Sequence, residues 1–311
     1  MHIDLYLVLG SAIVGALVGL TGTGGGALMT PMLVLFFSVT PSAAIASDLM
    51  AALFMKPLGA AIHWRRRTVN TSLVRYLCLG SVPAAFAGTL TMHLIGHTAA
   101  AEHVLQVLLG AALVVGALAM LSRSLFMESA PHGAPEVVTR PLATVVVGAI
   151  GGFMVGLTSV GAGSLILVLL VMLYPTLRND QLVGTDLAQS LPLTLSATAG
   201  TLLFSHVNMG VTASLIIGSV PAVVIGSLLS SRTNGFVLRR VITGVVLITG
   251  LKYTGASPVV VVAVALALVV LLVLVALGRA MAQRGTSSGV LVAEAVEDVV
   301  ALLPTRLDRD L

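Results

Sequence analysis

The sequence predicts an all-α polytopic membrane protein with two homologous halves, and three observations carry that expectation. The 311 residues are 57% hydrophobic and only 9% charged, with mean hydropathy +1.08, whereas soluble domains carry roughly a quarter charged residues. The apolar residues gather into long blocks, without the ~10-residue alternation of membrane-barrel strands. The blocks also repeat, since glycine-rich runs beginning at Gly19 and Gly156 head two stretches that align with each other. This composition excludes a water-soluble globule, and its apolarity excludes intrinsic disorder.

The apolar blocks fall at 5–20, 26–38, 44–63, 72–94, 104–121, 141–157, 162–173, 184–204, 210–229, 238–253 and 258–278. The first lacks a basic n-region and a small-residue cleavage site, so it reads as a membrane segment and not as a removed signal peptide. A continuous rod from Leu5 to Phe37 would run ~50 Å at 1.5 Å per residue, too long for the bilayer without a large tilt. The glycines at 22–26 supply a break, making 5–20 and 26–38 a down-and-up pair or two half-helices. Arg65, Arg66, Arg67 and Arg75 separate the third block from the fourth, and the uncharged-to-acidic HTAAAEH separates the fourth from the fifth. The polar stretch 122–140 divides the membrane region in two. Blocks 141–157 and 162–173 repeat the interrupted pair, SHVNMG parts 184–204 from 210–229, and the stretch 230–240 that leads into 238–253 holds Arg232, Arg239 and Arg240. The last block, PVVVVAVALALVVLLVLVALG, is uncharged over about the ~20 residues that cross a hydrocarbon core. The resulting plan is a first membrane repeat at 1–121, a polar linker at 122–140, a second membrane repeat at 141–253, an extra transmembrane helix at 254–278 and a cytoplasmic tail at 279–311. In that tail Val292, Val296, Val299, Val300 and Leu303 recur at helical spacing, as in a short amphipathic helix.

The repeat sets the expected topology. GLTGTGGGALMTPMLVL from Gly19 aligns with GLTSVGAGSLILVLLVM from Gly156 at an offset of 137; Ser47-Asp48-Leu49 meets Thr185-Asp186-Leu187, and LGSVPAAFAGTL meets IGSVPAVVIGSL, at 138. The arginine-rich loop at 65–75 corresponds to the arginine-free loop at 205–210, while the reverse holds for 95–103 and 230–240. Positive loops face the cytoplasm, so corresponding loops lie on opposite sides and the halves form an inverted repeat. The N-terminus is then outside and the tail inside. The net charge of +4 is spread over these loops, which is a topology signal and excludes nucleic acid as a partner. The single Cys78 excludes an internal disulfide.

Two sets of polar residues interrupt the apolar blocks. Thr21, Gly22, Thr23, Gly24, Gly25 and Gly26 break the first half, and Thr158, Ser159, Gly161, Gly163 and Ser164 break the second. Backbone freed in hydrocarbon is tolerated only where protein or a water-lined cavity surrounds it. A helix restarting after such a break aims N–H groups and a positive dipole end at it, and glycine admits an anion to the backbone, so two inverted breaks converge on an anion site. Close helix packing by small residues is the competing explanation. The second set is Asp48 and Asp186, at the same repeat position beside Ser47 and Thr185. An intramembrane carboxylate is a functional residue by default, here an ion-coupling one, unless each aspartate caps its helix. Lys56 lies eight residues after Asp48 and aligns with Thr194; it serves an anion, pairs with Asp48 or snorkels to the interface. Gln189, Ser190 and Thr194 follow Asp186 at near-helical spacing and line the same cavity or bond between helices. No metal or cofactor is expected.

On the paired glycine elements, the ASDL and GTDL elements, and MKPLGAAIHWRRRTVN with its counterpart through HVNMG, the chain resembles the TauE/SafE sulfite-exporter family of bacterial membrane transporters over nearly all of residues 5–278. The resemblance implies a bacterial plasma-membrane location, export or exchange of small anions such as sulfite or sulfonates, and a site at Gly22, Gly24, Gly26, Gly161 and Gly163. The partners are then a small anion and the lipid bilayer, and a homo-oligomer is compatible with them. A non-transporting membrane assembly factor is the alternative. An intramembrane aspartyl protease fits less well, because the GxGD signature is replaced by Val183-Gly184-Thr185-Asp186. Ser159 with His206 lacks the GxSG context of a serine protease, so no enzyme is expected.

Overall fold

The computed structural model describes residues 4–21, 25–65, 68–96, 98–126, 139–161, 165–175, 177, 179–205, 207–229, 235–264 and 266. Among them are α1 (Leu5–Thr21), α2 (Gly26–Phe36), α3 (Pro41–Arg65), α4 (Thr71–Ile95), α5 (Ala99–Phe126), α6 (Pro141–Thr158), α7 (Leu165–Leu173), α8 (Asn179–Phe204), α9 (Met209–Leu229) and α10 (Gly235–Tyr253). No strand occurs among the described residues. A helical stretch at 258–264 begins the last apolar block, while most of that block, the linker at 127–138 and the tail fall outside the described residues. All ten helices belong to one compact unit, residues 1–261; a second unit starts at Val262.

Every apolar block down to 253 is a helix, with differences at the starts. Helices α3, α5 and α8 begin at Pro41, Ala99 and Asn179, three to five residues before the blocks at 44, 104 and 184. Protein groups satisfy the polar first turns of α3 and α5: in α3 the backbone N–H (3.1 Å) and hydroxyl of Ser42 donate to the Glu102 carboxylate of α5, and in α5 Ala101 N donates to Thr98 Oγ1 at 3.2 Å. Hydropathy marks where lipid begins, and the helix starts earlier. Helices α4, α6 and α9, with Ala99–Leu121 of α5 and Gln181–Phe204 of α8, are long and apolar enough to cross a membrane.

Each half opens with a helix folded back on itself. The Gly10 backbone of α1 faces Met32 and Phe37 at the far end of α2. In the second half Tyr174, just after α7, bonds to the start of α6, its hydroxyl 2.6 Å from Thr144 Oγ1 and accepting from Arg140 N at 2.8 Å. Helices of 11 and 9 residues run only ~16 and ~14 Å, about half of a ~30 Å hydrocarbon core. The length of the uninterrupted rod foretells this down-and-up pair.

The halves interlock through exchanged neighbours. Helix α1 packs on α9 and its repeat mate α6 packs on α4, while α3 packs on its own mate α8 and α5 on its own mate α10. Two buried apolar clusters follow the same exchange, one drawn from α1, α2, α3 and α9 and the other mainly from α4, α6, α7 and α8. Glycine permits the closest approaches: a Cβ on Gly19 of α1 would lie 2.3 Å from the Val223 carbonyl oxygen of α9, and one on Gly156 of α6 2.0 Å from that of Ala85 in α4. The registers also give directions. Val8 meets Gly218 and Ala16 meets Gly226, so α1 and α9 are parallel; Leu77 meets Gly148 and Ala85 meets Gly156, so α4 and α6 are parallel. By contrast Leu49 bonds Thr198 and Lys56 bonds Thr194, which makes α3 and α8 antiparallel. Gly110 meets Gly250 and Met120 meets Thr243, so α5 and α10 are antiparallel as well.

Candidate functional site at the helix breaks

The two breaks meet inside the protein. A Cβ on Gly26, the first residue of α2, would fall 1.9 Å from the backbone oxygen of Ser159, the residue after α6. Only a residue without a side chain fits there. Ser159 itself is buried and holds φ 60°, ψ −5°, a left-handed conformation that non-glycine residues seldom adopt. Its amide is 2.7 Å from the Val155 carbonyl oxygen, which ends α6. Gly161 then takes φ 125°, available to glycine alone, and its carbonyl accepts from Leu165 N at 3.1 Å to start α7.

Asp48 is docked at this junction. It is the eighth residue of α3, as Asp186 is the eighth of α8, so neither aspartate caps its helix; the earlier helix starts remove that alternative. The Asp48 side chain is wholly buried. Its Oδ2 accepts from Thr30 Oγ1 of α2 at 2.7 Å and from Ser159 Oγ at 2.8 Å. One carboxylate oxygen thus ties together α2, α3 and the second break. Its other oxygen, Oδ1, is buried with no hydrogen-bond partner among the described residues, as is the neighbouring Ser47 Oγ.

Lys56 lies two turns further along α3 and donates to Thr194 Oγ1 of α8 at 2.6 Å. These two residues are repeat mates, and they stand where the antiparallel pair α3 and α8 crosses its own image. The ammonium lies within electrostatic range of the Asp48 and Asp186 carboxylates. The equivalent position in the other half carries no charge: it is the hydroxyl that this ammonium bonds.

The environment of Asp186 differs from that of Asp48. Gln189 Nε2 donates to Asp186 Oδ1 at 3.3 Å, and Ser81 Oγ of α4 donates to Gln189 Oε1 at 3.2 Å. The repeat mate of Thr30 is Leu167 and that of Ser159 is Gly22, so the two hydroxyls that serve Asp48 have no counterpart toward Asp186. The neighbouring Thr185 accepts from Asn70 N at 3.0 Å, fixing the α3–α4 turn.

The sequence-predicted site residues divide accordingly. Gly25, Gly26, Asp48 and Ser159 come together, Lys56 joins Thr194, and Asp186 joins Gln189. The hydroxyls of Thr21, Thr158 and Ser190 donate to the backbone oxygens of Leu17, Met154 and Leu187, and that of Thr158 also accepts from Val160 N at 3.2 Å. Gly22, Thr23, Gly24, Gly163 and Ser164 lie outside the described residues. Thr30 and Ser81 join the constellation without having been foreseen. Ser81 is legible in the repeat, since GSVP around it recurs around Ser219; Thr30 is not, because its mate is leucine.

A family model described as Sulfite exporter TauE/SafE matches residues 7–253, ending before the apolar stretch at 258–278. The chain is 36% identical over 255 residues, 80% of its length and 99% of the other, to a Bacillus subtilis (strain 168) protein described as "Probable membrane transporter protein YjnA". No solved structure matches.

Proposed function

The chain belongs to the TauE/SafE sulfite exporter family, and from that premise we propose that it is a secondary transporter exporting or exchanging a small anion, such as sulfite or a sulfonate, across the bacterial plasma membrane with coupled proton movement. The observation that carries this reading is the contact of two helix breaks, Gly26 against Ser159, beside buried Asp48, which shares α3 with Lys56. Backbone opened at membrane depth is stabilised when protein surrounds it, and a lone ammonium supplies the attraction for an anion. The remaining expected binding groups are Thr21 to Gly26, Thr158, Ser159, Gly161, Gly163, Ser164, Gln189, Ser190 and Thr194, with ion coupling assigned to at least one of Asp48 and Asp186.

The halves are inverted in this reading. Antiparallel mates, α3 with α8 and α5 with α10, are what a two-fold axis in the membrane plane produces; an axis along the membrane normal leaves mates parallel. The same registers bring the starts of α4, α6 and α10 to one end, together with the end of α5. Arg65, Arg75, Arg140, Arg239 and Arg240 lie in the segments at that end, which favours it as the cytoplasmic side. The N-terminus then faces outward.

Flux of radiolabelled sulfite in proteoliposomes, with sulfate, methanesulfonate and acetate as competitors, tests the proposal. Saturable flux that sulfite or methanesulfonate competes away supports it. Equal flux in protein-free vesicles overturns it in favour of an assembly factor, and cleavage of a membrane-embedded peptide in place of flux would point to a protease.

A further inference from the structure

Among the described residues, one buried carboxylate oxygen has no hydrogen-bond partner. Oδ1 of Asp48 lacks a donor while Oδ2 takes two, and leaving a buried acceptor unmade is costly. The space next to Oδ1 is bounded by bare backbone: a Cβ on Gly25 would lie 3.8 Å from it and 3.1 Å from the Cε of Met55. A second buried oxygen without a partner, Ser47 Oγ, sits on the adjoining residue. Resting on the transporter reading, we propose that Asp48 Oδ1 is the binding point of the coupling cation, a proton or a sodium ion, and that Asp186 is not a second such point.

The asymmetry of the halves carries the second part. Asp186 receives Gln189 from its own helix and has a further interaction besides, whereas Asp48 receives hydroxyls from two other segments and keeps one oxygen open. Gln189 has Ala51 as its repeat mate, so the device that satisfies Asp186 is absent from the Asp48 side. The charged surroundings leave Asp48 to this task. Lys56 of its own helix lies within electrostatic range of it, and Asp186 of α8 lies within range of the same ammonium. Helices α2 and α9, which pack on α3, contain no charged residue. Helix α5 presents Glu102 to Ser42, at the opposite end of the first two turns of α3. A cation arriving at Oδ1 supplies what none of these groups does, and it cancels one of two carboxylate charges around a single ammonium. With that charge cancelled, an incoming anion meets Lys56 without repulsion from Asp48.

Because Asp48 Oδ2 bonds Thr30 of α2 and Ser159 of the second break, the cation's presence is transmitted directly to both segments. A proton at Oδ1 leaves Oδ2 as a neutral carbonyl acceptor, which weakens both charge-assisted bonds. Sodium at Oδ1 instead holds the carboxylate ionised. The two cations therefore leave different spectroscopic signatures on one side chain.

Infrared difference spectroscopy on the purified full-length protein in lipid reads this without any transported substrate. Wild type and Asp186→Asn are expected to show a carboxylic C=O band appearing on acidification, or a carboxylate band shifting when sodium chloride replaces choline chloride at constant pH. Asp48→Asn loses that signal. Ser159→Ala, which retains the carboxyl but removes one donor, moves the midpoint of the transition; an unmoved midpoint overturns the assignment to Asp48. Loss of the signal in Asp186→Asn with retention in Asp48→Asn overturns it too, as does a wild type silent to both cations. These results stand apart from the sulfite flux: flux with its gradient dependence kept in Asp48→Asn sinks the cation site alone, whereas absence of flux in a wild type that shows the Asp48 signal sinks the transporter reading alone.

Discussion

Replacing Gly26 and Gly25 by alanine, one at a time, separates a functional junction from ordinary helix packing. A methyl at Gly26 meets the Ser159 carbonyl oxygen at 1.9 Å, and reaching even the 3.0 Å below which real Cβ contacts essentially never occur needs a shift of about 1.1 Å. If the second break moves away, the Ser159 bond to Asp48 stretches from 2.8 Å to roughly 3.9 Å and is lost; if α2 moves, Thr30 travels with it and the 2.7 Å bond is strained. Overpacking costs about 1–3 kcal/mol and a lost bond to a charged group roughly 1.5–3 kcal/mol, which together make roughly 3–6 kcal/mol. At ~2–2.5 °C per kcal/mol for a chain of this size, the melting temperature should fall by roughly 6–15 °C. At Gly25 the backbone is already helical, with φ −68° and ψ −40°, and the neighbour is the flexible end of Met55. Alanine there should be neutral or stabilising by up to about 1 kcal/mol. The assay is thermal unfolding of both purified variants in one detergent, followed by sulfite flux at equal protein. A Gly26→Ala melting temperature within ~2 °C of that of Gly25→Ala would refute the reasoning, since the two breaks would then not be in contact.

Single-cysteine labels at Asn70 and Asn234 in a Cys78→Ser background should share one accessibility, and labels at Ala100 and Asn208 the opposite one; agreement of Asn70 with Asn208 would instead restore a parallel repeat. Lys56→Gln keeps a donor to Thr194 but removes the ammonium, so sulfite affinity measured by competition should fall roughly 10- to 100-fold, as for loss of a charge-assisted bond. An unchanged affinity would place the anion elsewhere. Glu102→Ala strips the start of α3 of the acceptor for Ser42 and should cost about 1 kcal/mol, in the range of a lost helix cap. Hydrogen exchange would register it as faster opening of residues 41–45, with Glu102→Gln intermediate.

The membrane class and the ten of eleven apolar blocks that end by residue 253 were legible because each depends on local composition. Long uncharged runs cannot remain in water, and a rod of 33 residues cannot stay straight in a bilayer, so the fold-back in each half follows from counting. The positions of Asp48 and Asp186 were equally visible, but their roles were not. At 44–63 and 184–204 the hydropathy edges placed both aspartates near a helix start, whereas α3 begins at Pro41 and carries Asp48 wholly buried as its eighth residue. The repeat likewise concealed what distinguishes the halves. It flagged matched residues, yet Thr30, whose hydroxyl reaches Asp48, is matched by leucine, and the bond from Lys56 to its mate exists because antiparallel α3 and α8 cross at 56 and 194. What the sequence determined alone is which segments enter the membrane and where their backbone opens, since those depend on transfer of side chains and peptide groups out of water. What the tertiary structure decided is which opened segment touches which carboxylate, because a contact of Gly26 with Ser159 across 133 residues arises from interlocked halves and leaves no periodic trace in the chain.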